Sequence, residues 1–287
     1  MNFVEQAIRF SCHDSSLYGI LSLPEKSISR GVLIVVGGPQ YRVGSHRQFL
    51  LLARNLASHG VPVMRFDYRG MGDSEGDVRI FDEVNDDLHT AVNHFFESVP
   101  HVNELVILGL CDAASAALFY AHQDARISGL ILLNPWVRTE HGIAKAHLKH
   151  YYISRLFEAE LWRKILRGHF DYAAAVRSFS KLLGNALFQQ KTSKESICES
   201  DFHDISLPQR MHDGFSSFKG KVLFILSGND LTAREFSDLV KGSRKWKELL
   251  KSSHISRLDL PEADHTFSRR EWRDQVATWT RNWLQSW

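Results

Sequence analysis

The chain has 287 residues, 44% of them hydrophobic, which is ample for the buried core of one α/β domain with an insertion. A net charge of +2 argues against a dedicated nucleic-acid-binding protein, so we predict no nucleic-acid partner. Three widely spaced cysteines, Cys12, Cys111 and Cys198, exclude a disulfide framework and indicate a reducing compartment. Because neither a signal-peptide pattern nor a membrane-length apolar run is found, we expect a cytoplasmic protein without a transmembrane segment.

Apolar segments alternate with helical stretches along most of the chain. In chain order, strands are predicted at 3–10, 17–23, 32–36, 61–66, 105–109, 129–133, 222–226 and 255–260. Helices are predicted near 45–59 and 82–98, after residue 111, and at the end of the sequence. This alternation predicts an α/β fold, a mostly parallel sheet with helices on both faces. Ligands of such sheets bind at the carboxyl ends of the strands.

Residues 109–113, Gly-Leu-Cys-Asp-Ala, stand between an apolar strand and an alanine-rich helix. Strand, sharp turn and helix is the setting of the nucleophile elbow of α/β-hydrolases, with Cys111 where serine is usual. Gly109 and Ala113 supply the small side chains that the turn requires. A helix amino terminus favours the thiolate form of Cys111. The alternative is that Cys111 is a small, inert, buried residue.

Two later strands end in the residue types that would complete a catalytic triad. Asp230 follows the strand at 222–226, and His265 follows the strand at 255–260. The order nucleophile, acid, histidine is that of the α/β-hydrolases. We therefore predict that His265 is the general base for Cys111 and that Asp230 orients it. Asp264 is too close to His265 in sequence to reach its ring.

The strand at 32–36 ends in a loop that suits an oxyanion hole. Residues 37–40, Gly-Gly-Pro-Gln, resemble the His-Gly-Gly-Pro loop of α/β-hydrolases, with Val36 in place of His. Since Pro39 has no N–H, we predict Gly38 as the first donor, Gln40 as its alternative and Asp112 as the second donor. A plain Gly-Pro turn remains the other interpretation.

The segment 136–219 interrupts the alternation and is helical in pattern. We predict two domains on this basis: a hydrolase core of residues 1–135 and 220–287, and a helical lid of residues 136–219. Residues 136–181 contain nine Lys and Arg against four Asp and Glu, which would attract an anionic substrate or simply form a solvated helix face. Trp136 and Arg138 are predicted to bind substrate.

Two other groups of residues are candidates for binding a substrate or a metal ion. Arg42 and His46 lie in the loop 41–47 directly after the proposed oxyanion strand, so we predict that they meet the substrate; helix capping by Ser45 is the alternative for part of this loop. His147 and His150 would share a helix face, but no carboxylate or thiol completes a ligand set, so we predict no metal.

Four blocks of sequence resemble one family. Residues 37–48, 65–76, 109–113 and 134–140 look like the exosortase A system-associated hydrolases of type 1. The resemblance implies a bacterial hydrolase encoded with an exosortase and an exopolysaccharide locus. Cysteine in place of serine argues against ordinary esterase or lipase activity. In this respect the elbow is similar to that of the dienelactone hydrolases and some thioesterases.

These patterns lead to one functional hypothesis and two alternatives. We expect an enzyme that cleaves a thioester or activated ester of a small-molecule or carrier-bound acyl substrate, through an acyl-Cys111 intermediate and without a cofactor. The alternatives are a carboxylesterase or lactone hydrolase, and a noncatalytic binding or scaffold protein of the same system.

Overall fold

Eight strands form a single sheet in the computed structural model, which describes residues 2–38, 40–137 and 206–287. Their order across the sheet is β1-β2-β4-β3-β5-β6-β7-β8. The β1–β2 and β2–β4 pairs are antiparallel, and all later pairs are parallel. The strand bounds are β1 Phe3–Cys12, β2 Ser15–Pro24, β3 Arg30–Val35, β4 Val63–Asp67, β5 Glu104–Leu110, β6 Ile127–Leu133, β7 Lys221–Ser227 and β8 Ile255–Leu260.

The central strands show the burial that is typical of a parallel sheet. Every residue of β3 and β4 is buried, and β5 and β7 are buried apart from their first residues. Strands covered on both faces are continuous apolar runs, because helical connections lie above and below them. β8 alternates between exposed and half-buried residues, as an edge strand does.

Seven α-helices are described, and they cover both faces of the sheet. Phe49 on the first helix and Trp283 on the last pack on one face, whereas Phe95, Leu118 and Phe215 pack on the other. The helix bounds are α1 Gln48–Ser58, α2 Asn85–Ser98, α3 Asp112–Ala121, α4 Leu207–Ser217, α5 Leu231–Gly242, α6 Arg244–Leu249 and α7 Arg270–Gln285. None of them is long and apolar enough to cross a bilayer.

The predicted architecture is confirmed, with one local difference at the first helix. A helix was expected near 45–59, but Ser45–Arg47 is a 3-10 turn and α1 begins at Gln48. His46 and Arg47 have left-handed φ angles of 52° and 60°, which an α-helix cannot contain. Ser45 therefore makes no side-chain cap for α1, and Arg47 occupies the N-cap position.

Most of the predicted lid, residues 138–205, lies outside the described residues. The part that follows, α4, buries Met211 and Phe215 in the same apolar cluster as α3. Gly214 allows this close approach, because a Cβ there would collide with the carbonyl oxygen of Leu118. Residues 207–217 of the predicted insertion thus pack on the sheet domain.

Candidate active site

Cys111 occupies a strained turn between β5 and α3. Its φ of 62° and ψ of −124° are rare for a residue with a side chain, and such strain concentrates at functional sites. The Cys111 N–H donates to the Leu133 carbonyl at 2.9 Å, and the Cys111 carbonyl accepts from Trp136 N–H at 3.1 Å. A Cβ at Gly109 would lie 2.6 Å from Ala113 backbone atoms, so this position requires glycine.

Asp230 and His265 meet beside this turn. Asp230 is the N-cap of α5 and accepts hydrogen bonds from the N–H groups of Thr232 and Ala233 at 3.2 and 3.0 Å. Its Oδ2 lies 2.9 Å from His265 Nδ1, and its side chain is only 7% exposed. The Cys111 side chain lies close enough to the His265 ring to raise its pKa. The structure therefore brings together the three residues predicted from the sequence as a triad.

The electrostatics of the pair favour a protonated His265. The hydrogen bond to Asp230, together with the contact with Cys111, raises the pKa of His265 from 6.5 to about 10. Burial alone would raise the pKa of Asp230, but the hydrogen bond and the positive charge of His265 outweigh it and lower that pKa. At neutral pH His265 is thus an imidazolium, paired with the Asp230 carboxylate.

The Asp264 carboxylate is bonded to Ser268 and not to the His265 ring. It accepts hydrogen bonds from the backbone N–H of Ser268, at 2.9 Å, and from the Ser268 hydroxyl. These bonds close the turn that leads from His265 toward α7. Asp264 therefore shapes the loop, as its position next to His265 led us to expect.

The predicted oxyanion donors are brought together, but a side chain already binds the first of them. Gly38 N–H donates to Asp112 Oδ2 at 3.0 Å, and Ala113 N–H donates to Asp112 Oδ1 at 2.9 Å. The alternative donor, Gln40 N–H, is bonded to the Gly38 carbonyl at 2.8 Å. Burial raises the pKa of Asp112 despite these backbone bonds. The sequence alone does not predict that the Asp112 carboxylate binds the Gly38 N–H.

The predicted substrate-binding residues differ in how they are placed relative to Cys111. Trp136 is half-buried next to Cys111, and its ring packs edge-on against Phe81 at 5.1 Å between centroids. His46 is exposed, and its carbonyl accepts a hydrogen bond from Arg273 at 2.8 Å. Arg138, like His147 and His150, lies outside the described residues. Among these, Trp136 has the clearest link to the nucleophile.

Arg42 is engaged within the fold, contrary to the prediction that it meets substrate. It is 9% exposed, and its guanidinium forms ion pairs with Asp67 and, at 2.8 Å, with Asp73. The Arg42 N–H also donates to Asp67 at 2.6 Å, and the Tyr41 ring covers the guanidinium. The sequence pattern of adjacent cations could not show this, because the partner carboxylates lie 25 or more residues further along the chain.

We expect Arg42→Gln to destabilise the protein rather than weaken substrate binding. Asp67 has a fully buried side chain, and removing the partner of a buried charge costs about 3–5 kcal/mol. Urea unfolding should therefore show a clear fall in the free energy of unfolding, with the KM of the folded fraction unchanged. Arg47→Gln, at an exposed position of the same loop, is the control. A raised KM with full stability would restore Arg42 to the substrate site.

The strand order and the turn between β5 and α3 are those of an α/β-hydrolase, and Cys111, Asp230 and His265 stand in the chain order that this fold uses for nucleophile, acid and histidine. The family model of the serine aminopeptidases, S33, matches residues 29–199, which is more than half of the chain. The chain therefore belongs to the serine aminopeptidase S33 family of hydrolases. Its elbow holds Cys111, although the family is named for serine. A comparison with curated proteins finds no match.

Solved structures share the fold at low sequence identity. The esterase Pf2001 of Pyrococcus furiosus is 16% identical, with a TM-score of 0.67 over 99% of this chain and 92% of that chain. Est1E of Butyrivibrio proteoclasticus, solved with ferulic acid, is 15% identical, with a TM-score of 0.60 over 97% and 98%. A dienelactone hydrolase from Anabaena variabilis is 13% identical, with a TM-score of 0.61 over 99% and 98%. At these identities the likeness concerns the fold.

Proposed function

We propose that the protein cleaves a thioester or activated ester with Cys111 as nucleophile, His265 as acid and base, and Asp230 as the group that orients the histidine. The observation that carries this proposal is the hydrogen bond of His265 Nδ1 to Asp230 at 2.9 Å, with the Cys111 side chain close enough to the same imidazole to raise its pKa. Cys111 is a partly buried cysteine on a strained turn at a helix amino terminus, a position that suits a nucleophile. An inert structural cysteine has no need of such a partner.

The reaction follows from the protonation state of the site. The Cys111 thiolate attacks the acyl carbon, and the tetrahedral intermediate collapses as the bond to the leaving group breaks and His265 gives it a proton. His265, now neutral, takes a proton from water as the water oxygen attacks the acyl-cysteine. Collapse of the second intermediate releases the carboxylic acid and the Cys111 sulfur, and Asp230 holds the Nδ1 proton throughout.

The oxyanion of each intermediate needs backbone donors. We assign this role to the N–H groups of Gly38 and Asp112, which follow the relevant strand and nucleophile. In the structure the Asp112 carboxylate binds the Gly38 N–H, so it must turn away before a carbonyl oxygen can replace it. The Asp112 carboxylate also interacts with its own backbone N–H, so the same rotation would free both donors.

A thioester is the favoured substrate class, because a thiolate leaves readily and needs little acid assistance. Resemblance to the exosortase A-associated hydrolases supports a link to an exosortase and exopolysaccharide system, with an acyl substrate that is a small molecule or bound to a carrier. A carboxylesterase or lactone hydrolase is the alternative, supported by the esterase and dienelactone hydrolase folds of the structural neighbours. The lid of residues 136–219, with Arg138 and Trp136, would select among these substrates.

The nucleophile can be tested without knowing the substrate. Iodoacetamide at pH 6 is expected to alkylate Cys111 faster than Cys12, as measured by peptide mass spectrometry over time. His265 supplies a positive charge beside the Cys111 sulfur, whereas Cys12 is 1% exposed and burial raises the pKa of its thiol. The His265→Ala protein is the control and should lose the preference. Equal slow labelling of Cys111 and Cys12 in the wild type would contradict a reactive thiolate.

The substrate class is decided by a panel of acyl-coenzyme A thioesters and p-nitrophenyl esters, each assayed beside Cys111→Ala. Turnover of thioesters that disappears in the variant supports the proposal. Preference for oxygen esters would favour the esterase alternative. No turnover of any member of the panel, together with slow labelling of Cys111, would favour a noncatalytic role.

A further inference from the structure

Asn134 lies at the end of β6, directly behind the proposed triad. It is fully buried and has a left-handed φ of 43°, although it is not a glycine. Asparagine is one of the few residues with a side chain that visits this region readily. A buried amide in a strained turn needs partners for both its oxygen and its nitrogen.

Both polar atoms of the Asn134 amide are hydrogen-bonded. Its Oδ1 accepts from the Ser227 N–H at 2.8 Å, and its Nδ2 donates to the Ser227 hydroxyl at 2.6 Å. The second Nδ2 proton is donated to the backbone carbonyl of His265 at 3.0 Å. One side chain thus joins the end of β7, three residues before Asp230, to the loop that holds His265.

The backbone around Asn134 reaches the third member of the triad. The Leu133 carbonyl accepts from the Cys111 N–H at 2.9 Å, and Trp136 N–H donates to the Cys111 carbonyl at 3.1 Å. Nucleophile, acid and base are therefore each tied to the short segment 133–136. The triad distances depend on this segment because the three catalytic residues come from separate loops.

We propose that Asn134 is a positioning residue that fixes the His265 loop against the strand carrying Asp230, so that the imidazole stays aligned with Cys111. The proposal rests on the proposed function, because it assigns Asn134 a part in the same triad. It acts through the backbone of His265 and touches no substrate. Misplacing a catalytic group by about 1 Å can cost about a hundredfold in rate.

Asn134→Asp is the most selective test. The carboxylate can still accept from the N–H and hydroxyl of Ser227, but it has no proton for the His265 carbonyl and repels it. Asn134→Gly is the second variant, because glycine tolerates the left-handed backbone and removes the amide without adding a charge. Val92→Ala, which creates a cavity on the α2 side of the core, is the control for loss of stability alone.

We expect both Asn134 variants to lower kcat on the best ester or thioester by about tenfold or more with little change in KM. The pH profile of Cys111 alkylation by iodoacetamide should also shift, since the imidazolium no longer sits in register with the sulfur. Val92→Ala should lower the melting temperature and leave kcat and the profile near those of the wild type.

The inference is overturned if either Asn134 variant folds and retains both the wild-type kcat and the wild-type labelling profile. The labelling profile needs no turnover, so it separates this inference from the proposed function. Wild-type protein without Cys111-dependent turnover would refute the proposed function, while an altered profile in the Asn134 variants would still support the positioning role.

Discussion

His265→Ala is expected to lower kcat by about a hundredfold or more without unfolding the protein. In the proposed mechanism the imidazole gives the proton to the leaving group and activates the water, so its loss would remove both steps. Removing either member of a catalytic unit typically has an effect of this size, because the members do not act independently. The measurement is steady-state turnover on the best substrate of the panel, with circular dichroism to show that the fold persists.

Asp230→Asn is the matched test of the acid. Asparagine keeps the size of the side chain and an oxygen for the α5 cap, but it removes the charge that holds His265 Nδ1–H. We expect a loss of turnover comparable to that of His265→Ala. Asp264→Asn, next to His265 but bonded to Ser268, should lose far less. Full activity in Asp230→Asn would mean that another carboxylate orients the histidine.

The sign of the pH dependence follows from the raised pKa of His265. In the folded protein this histidine keeps its proton up to about pH 10, whereas an ordinary histidine loses it near 6.5. The charge pair with Asp230 therefore stabilises the fold fully below about pH 6.5, and this contribution disappears as the pH rises through about 10. Turnover that needs the imidazolium should decline over the same alkaline range.

The parts of the site that could be predicted are those set by local sequence. A strand that ends in Gly-Leu-Cys-Asp-Ala and continues as a helix specifies the elbow at Cys111. Asp230 follows an apolar strand and His265 follows the neighbouring edge strand, and neighbouring parallel strands end at one edge of the sheet. The chain order and the strand ends were therefore enough to predict that the three residues lie near one another.

The parts that could not be predicted depend on contacts between distant residues. Arg42 looked available because its partner carboxylates are not adjacent in sequence, and only the folded sheet brings Asp67 beneath it. Asn134 has no motif that separates it from an ordinary turn residue, since its importance comes from Ser227 and His265, 93 and 131 residues further along the chain. The side-chain direction of Asp112 is likewise a property of packing against the loop at Gly38.

Asp112→Ala is expected to increase activity. The Asp112 carboxylate binds the Gly38 N–H at 3.0 Å, at the donor that the oxyanion requires, and its negative charge opposes the charge that develops there. An oxyanion donor contributes about a hundredfold to a thousandfold in kcat, so freeing Gly38 should raise kcat/KM for a neutral p-nitrophenyl ester by about tenfold or more. The backbone N–H of residue 112 remains in place as the second donor.

Asp112→Asn is the control for charge, because its amide oxygen can still accept from the Gly38 N–H. We expect it to gain less than the alanine variant, since the donor stays occupied. Both variants lose an acidic residue from the first turn of α3, which costs about 0.3–1 kcal/mol and should lower the melting temperature slightly. A fall in kcat/KM in both variants would instead show that the carboxylate contributes to the reaction, because its charge is what both variants lack.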